Sequence, residues 1–190
     1  LDDMAEAVEA GLSFVAGQET SEVEALAEDV FDELMQDKLW PGTLDLAQQH
    51  LDAGEPVWLV SASPVELARV IAQRLGFTGA LGTVSEIVDG RYTGVLVGHP
   101  LHGVAKAEAV RALAARDGLD LAKCFAYSDS NNDLPLLTTV GHPVAVNPDS
   151  ELRNQARDNG WPIYDFRRKR VLTRVGIPAA ATLAVATAAG

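Results

Sequence analysis

The chain has a single cysteine, Cys124, in 190 residues, so an internal disulfide is excluded. A cytosolic setting is the default for such cysteine usage. Within "KCFAYS" the thiol reads as a buried small hydrophobe. Basic residues are scarce at the front. Residues 1–56 carry 15 acidic groups and one base, Lys38, while residues 57–190 carry 12 acids and 14 bases, so the formal net charge of −12 divides as −14 and +2. An acidic body argues against non-specific nucleic-acid binding, which needs a basic surface to meet phosphates. The opening "LDDMAEAVEAG" is acidic where a signal peptide would be basic. No internal repeat stands out. What remains is 47% apolar and 22% charged, enough for one domain with a real core, or a domain with a small appendage.

The first fifty residues read as helices. "DDMAEAVEAGLSFVAG" and "TSEVEALAEDVFDELMQDKLW" place apolar residues at helical spacing with acids opposite. Thr20 or Ser21 with Glu24 predicts a capping box for the second, and "PGTLDLAQQHLDAG" adds a helix stopped at Gly54. From Pro56 the pattern changes. "VWLVSAS" is a compact apolar run suited to a buried parallel strand, and "SPVELARVIAQRLG" follows as a helix. "TVSEIVDGRYTGVLVG" is a hairpin about Asp89-Gly90. "VAKAEAVRALAARDG" (helix), "KCFAYS" (strand), "NDLPLLTTVG" (short helix), "HPVAVN" (strand), "PDSELRNQARDNG" (helix) and "WPIYDF" (strand) continue the alternation. The expected fold is α/β, a Rossmann-like parallel sheet with helices on both faces, plus a helical cap remnant at the N-terminus.

Ligands of such sheets bind at the carboxyl ends of the strands. There the chain offers Ser61 after "VWLV", Asp129 to Asp133 after "FAYS", and Lys106 in the first turn of the helix after the hairpin. A phosphate needs a small hydroxyl, backbone N–H groups at a helix start and a cation, which Ser61 and Lys106 can provide. A hydrated magnesium ion needs one or two carboxylates, which Asp129 can begin to supply. "DSNND" has four side-chain acceptors in five positions, and a cap would use one. Ser63 with Pro64 and Glu66 reads instead as a structural cap. His99 and His102 bracket Pro100 without a third ligand nearby, so zinc is not expected. His50 falls on a helix and His142 starts a strand.

These segments together resemble the haloacid dehalogenase superfamily, in its phosphoserine-phosphatase-like branch. "VWLVSAS" is similar to the second family motif through Ser61, "GVAKAEAV" to the third through Lys106, and "YSDSNNDLPLL" to the fourth through Asp129 and Asp133. The resemblance implies a magnesium-dependent phosphomonoesterase acting on a small phosphorylated metabolite through an aspartyl-phosphate. In it Lys106, Asp129 and Asp133 would be catalytic, Ser61, Ala62, Lys106 and Asn132 would hold substrate, and Asp129 and Asp133 would hold Mg2+. It covers residues 43 to 165. The family's first motif, Asp-x-Asp, supplies the attacking carboxylate and the general acid and base. No two aspartates stand two apart in these 190 residues. The chain is therefore expected to lack its natural front, with the nucleophile outside it. A non-catalytic phosphate-binding or interaction module is the alternative.

The organisation expected is a cap remnant over 1–42, a phosphatase-like core over 43–165, and a basic flank with an apolar tail over 166–190. That tail, sixteen uncharged residues after Arg174, is compatible with a disordered or surface-packed end, the start of a membrane segment, or a lead-in to a further domain such as an acyltransferase. A cytoplasmic protein, with membrane association through this tail left open, is the corresponding expectation.

Overall fold

The computed structural model describes residues 10–167 and 184–186. In chain order these form a helical segment over residues 10–15, α1 (Thr20–Val30), α2 (Pro41–Asp52), β1 (Val57–Pro64), α3 (Val65–Arg74), β2 (Gly79–Thr83), β3 (Ser85–Val88), β4 (Arg91–Leu96), α4 (Val104–Asp117), β5 (Phe125–Ser128), α5 (Leu134–Leu137), β6 (His142–Val146), α6 (Ser150–Asp158), β7 (Ile163–Tyr164) and β8 (Ala184–Ala186). A single π turn and a 3-10 turn, Phe31–Met35 and Gln36–Lys38, carry the chain from α1 toward α2. The fold is α/β as expected: six strands in the order β2-β1-β8-β5-β6-β7, all parallel, with β3 and β4 as a separate antiparallel hairpin.

The period-2 alternation of the strands divides the core in two. Val57 and Leu59 of β1, with Phe125 and Tyr127 of β5, face α2 and α3, where Leu46, Ala47, Ala68 and Ile71 meet them. Val60 and Ala126 face the opposite side and pack with Val110 and Leu113 of α4, Leu136 and Leu137 of α5, and Leu152 and Ala156 of α6. Helices thus cover both faces. The hairpin turns at Asp89 and Gly90, whose φ values of 50° and 77° are the left-handed pair that a two-residue hairpin requires.

Three expectations are corrected. The N-cap of α1 is Glu19, whose box partner is Glu22, in place of Thr20 or Ser21 with Glu24. The N-cap of α3 is Pro64, which ends β1, so Ser63 and Glu66 do not form the cap. Ser63 binds Ser61, and Glu66 accepts from Tyr92, both described below. The strand β2, "GALGT", was not legible. Its glycines are required by close packing: a Cβ on Gly79 would stand 2.5 Å from the Trp58 ring, and one on Gly82 2.6 Å from Val65 Cα.

The centre of the sheet holds a strand from the far end of the chain. β8 pairs with β1 (Val57↔Ala184, Leu59↔Ala186) and with β5 (Phe125↔Ala184, Tyr127↔Ala186). Part of the expected tail therefore enters the core sheet. The remainder of that tail, with the basic flank from Arg168, and residues 1–9 lie outside the described residues. Among the described residues no helix is long and apolar enough to cross a membrane.

The N-terminal helical segment is tied down at two places. Gly17 N donates to Tyr92 O and Tyr92 N to Gln18 O, while Arg91 pairs with Glu19. On the far side Arg74 of α3 reaches Glu28 at 2.5 Å and Asp32 at 3.2 Å.

Candidate active site

Register places the sequence-predicted groups along one edge. Leu59 of β1 and Tyr127 of β5 are level with the same residue of β8, Ala186, so Ser61 and Asp129 each stand two residues beyond a shared register level. With neighbouring strands 4.7–4.9 Å apart, their backbones stand roughly 10 Å from each other.

Lys106 lies in the first turn of α4, and its Nζ is 2.8 Å from Asp133 Oδ1, a charge contact without hydrogen-bond alignment. Both side chains are buried, 7% and 4% exposed. The second Asp133 oxygen accepts from Ser128 Oγ at 2.7 Å. Asp133 is therefore engaged on both sides within the protein, by the ammonium and by a hydroxyl.

Asp129 differs. Its Oδ1 is buried and without a hydrogen-bond partner. Burial pushes its carboxyl above the usual range; a hydrogen bond to its own backbone opposes this, Asp133 adds to it, Lys106 opposes it and Asp149 adds to it. These interactions place Lys106, Asp133 and Asp149 within electrostatic reach of Asp129. Asn131 Oδ1 is likewise buried and unpartnered. Asn131 is held by its backbone N–H to Asp149 Oδ2 at 2.8 Å and by its amide to Glu151. An orphaned carboxylate oxygen and an orphaned amide oxygen, both hard donors, suit a hydrated divalent cation, which needs only one or two protein carboxylates. Among the described residues no group of three His, Cys, Asp or Glu forms a fuller metal cluster.

Ser61 is 1% exposed and closes a tight turn: it donates to Ser63 Oγ at 3.0 Å and accepts from Ser63 N at 3.1 Å. Its polar contacts among the described residues are with Ser63. Thr83 Oγ1 donates to Ala62 O at 2.7 Å and accepts from Leu101 N at 3.0 Å. Thr83 thus joins the end of β1 to the loop entering the Lys106 helix. Sequence reasoning missed it because its partners lie 21 and 18 residues away. Asn132 is exposed, with its N–H on Ser130 Oγ. Asn131, not singled out in the sequence, is the asparagine with a buried free oxygen; the dense "DSNND" cluster was its only signal.

A second group escaped notice. His50, fully buried on α2, has Nδ1 2.5 Å from Glu55 Oε2 and Nε2 2.7 Å from Tyr127 Oη. It ties α2 to β5 beneath the site. His142 starts β6 and stacks on Phe125 at 4.5 Å between ring centroids. Cys124 is buried, with its thiol toward Asp120 O at 3.3 Å.

Comparison with known proteins shows the family. The sequence is 54% identical over 185 residues to the phosphoserine phosphatase SerB1 of Mycobacterium tuberculosis, covering 97% of this chain and 60% of that protein. It is 39% identical over 126 residues to a histidinol-phosphatase of Neisseria meningitidis, covering 64% of this chain and 57% of the other. The chain spans about 60% of the length of the curated relatives it matches. Among solved structures, a Bordetella pertussis protein described as having unknown function superposes with a TM-score of 0.78 at 34% identity, over 85% of this chain and 74% of that one. Residues 2–138 match the family described as haloacid dehalogenase-like hydrolases, and it is to this family that the chain belongs.

Proposed function

We propose that this chain forms the substrate-holding part of a magnesium-dependent phosphomonoesterase that works through an aspartyl-phosphate. The observation that carries the reading is the buried Lys106–Asp133 pair beside the orphaned Asp129 oxygen, at the carboxyl edge of a parallel sheet.

In this reading the Lys106 ammonium draws the oxygens of the transferring phosphoryl group, and Asp133 with Ser128 keeps that ammonium in place. Ser61 offers its hydroxyl, now given to Ser63, at the end of β1, and Ala62 stands next to it. Asn131 and Asn132 border the same loop. Asp129 would hold Mg2+, whose positive charge offsets that of the phosphoryl oxygens. No Asp-x-Asp pair occurs among the 190 residues, so the attacking carboxylate is supplied from outside them. That carboxylate forms a bond to phosphorus while the ester P–O bond breaks. The alcohol leaves with a proton from a general acid, and water then splits the aspartyl-phosphate to release phosphate. Residues 1–42 act as a cap and 43–165 as the core, into whose sheet β8 enters between β1 and β5. The substrate is a small phosphorylated metabolite. The single buried cysteine suits a reducing, cytoplasmic compartment.

The test is hydrolysis of p-nitrophenyl phosphate by the full-length gene product. Turnover is expected with Mg2+, is expected to vanish with a chelator and return on adding the ion, and is expected to be lost in Asp129→Ala. Turnover without metal, or undiminished in that variant, would sink the reading.

A further inference from the structure

Between the helical residues 10–15, α1 and the end of β1 lies a chamber of about 460 Å3, a size usual for small-ligand sites. Ala62 and Ser63 form part of its wall, immediately after the buried Ser61, so it adjoins the proposed phosphate end of β1. Leu12, Phe14, Val23, Leu67 and Leu96 make the lining apolar. Among the described lining residues Glu66 is the only carboxylate, and they include no lysine, arginine or histidine.

Glu66 is 7% exposed, and Oε1 accepts from the buried Tyr92 hydroxyl at 2.8 Å. No other hydrogen bond or ion pair reaches Glu66 among the described residues. Arg69, one turn on, is exposed and stands outside the lining, and its charge and that of Glu24 oppose each other at the Tyr92 hydroxyl. A carboxylate in apolar surroundings is costly unless paired, and one phenol hydrogen bond leaves most of its acceptor capacity unused. A cation inside the chamber would complete it.

We propose that this chamber receives the organic part of the substrate, with Glu66 binding an ammonium group on it. The substrate is then the phosphate ester of an apolar amino alcohol without a carboxylate. This rests on the phosphatase reading and narrows it. Phosphoserine carries both an ammonium and a carboxylate, and the described lining residues offer no cation for the latter. The hydrogen bonds between Ser61 and Ser63 join the proposed phosphate end of β1 directly to the chamber wall.

The experiment compares kcat/KM of the full-length protein for three esters: phenylalaninol phosphate, its deaminated twin 3-phenylpropyl phosphate, and phosphoserine. The amine is expected to lead both by roughly tenfold or more, the scale of a charge-assisted hydrogen bond. Glu66→Gln keeps an acceptor for Tyr92 and is expected to lower the amine relative to the twin by roughly 10- to 100-fold, chiefly through KM. The twin, measured on the same preparation, separates this from misfolding. Equal use of amine and twin, a preference for phosphoserine, or an equal fall of both in Glu66→Gln would overturn the assignment. If no ester is turned over, the phosphatase reading falls separately. Calorimetric binding of phenylalaninol against 3-phenylpropanol then decides: an amine preference lost in Glu66→Gln upholds the chamber's role, and no preference ends it.

Discussion

Lys106 and Asp133 are the pair on which the candidate site turns, and their burial sets what a substitution costs. Removing one partner of a buried ion pair leaves the other charged and uncompensated, which costs about 3–5 kcal/mol. Asp133→Ala is therefore expected to lower the unfolding free energy by about that much in urea titration, and Asp133→Asn by less, since an amide oxygen still accepts from Ser128. A loss below about 1 kcal/mol would show that the pair is not structural. At the rim, Asp165 behaves differently. Hydrogen bonding from Arg167 and, after the opposing effect of burial, from Arg153 at 2.7 Å holds its carboxyl below the usual range. A depressed carboxyl stabilises the fold above its unfolded value, about 3.9, and this is lost as pH falls through the folded value. The stability difference between wild type and Asp165→Asn should thus be present at neutral pH, below about 1 kcal/mol for so exposed a pair, and shrink toward zero in acid. The residue types at the site were readable because Ser61 and Asp129 each follow an apolar run and Lys106 lies in the first turn of the helix after the hairpin. Their division of labour was not, because it depends on Ser128 and Thr83, whose roles arise from contacts across the fold.

Elements were legible where the local pattern was strong. "DG" between alternating residues marked the hairpin, and the apolar runs marked β1 and β5, each with a physical cause in turn geometry or burial. The pattern failed at β2, where three small or flexible residues surround Leu81 and the glycines answer to Trp58 and Val65 rather than to strand propensity. It failed also for His50. A histidine on a helix says nothing of a tyrosine 77 residues on, yet that contact is what fastens α2 to β5. His50→Ala leaves Glu55 and the Tyr127 hydroxyl buried without this partner. The expected loss is on the order of 3 kcal/mol, read as a fall in the urea midpoint, with a shift under about 0.5 kcal/mol counting against the staple.

For the whole molecule, the decisive feature is that the end of β5 and the start of α4 meet through the buried Lys106–Asp133 pair, with Asp129 in electrostatic reach of both. A ligand that binds only the folded form raises stability by mass action, by about 2.7 kcal/mol at a hundredfold its Kd. Mg2+ added to this chain is expected to raise its thermal midpoint in a concentration-dependent way, and not to do so in Asp129→Asn. Equal shifts in both would place the cation elsewhere. The amino-acid sequence by itself determined the α/β alternation, the hairpin, and the identities of Ser61, Lys106 and Asp129, since these follow from local periodicity and from polar groups placed after buried runs. Only the tertiary structure decided that Glu66 turns from a helix cap into an apolar chamber, that Asn131 rather than Asn132 carries the buried free oxygen, and that residues 184–186 enter the sheet between β1 and β5. The physical reason is that burial and pairing depend on which distant segments meet, and a linear pattern records only the neighbours a residue has along the chain.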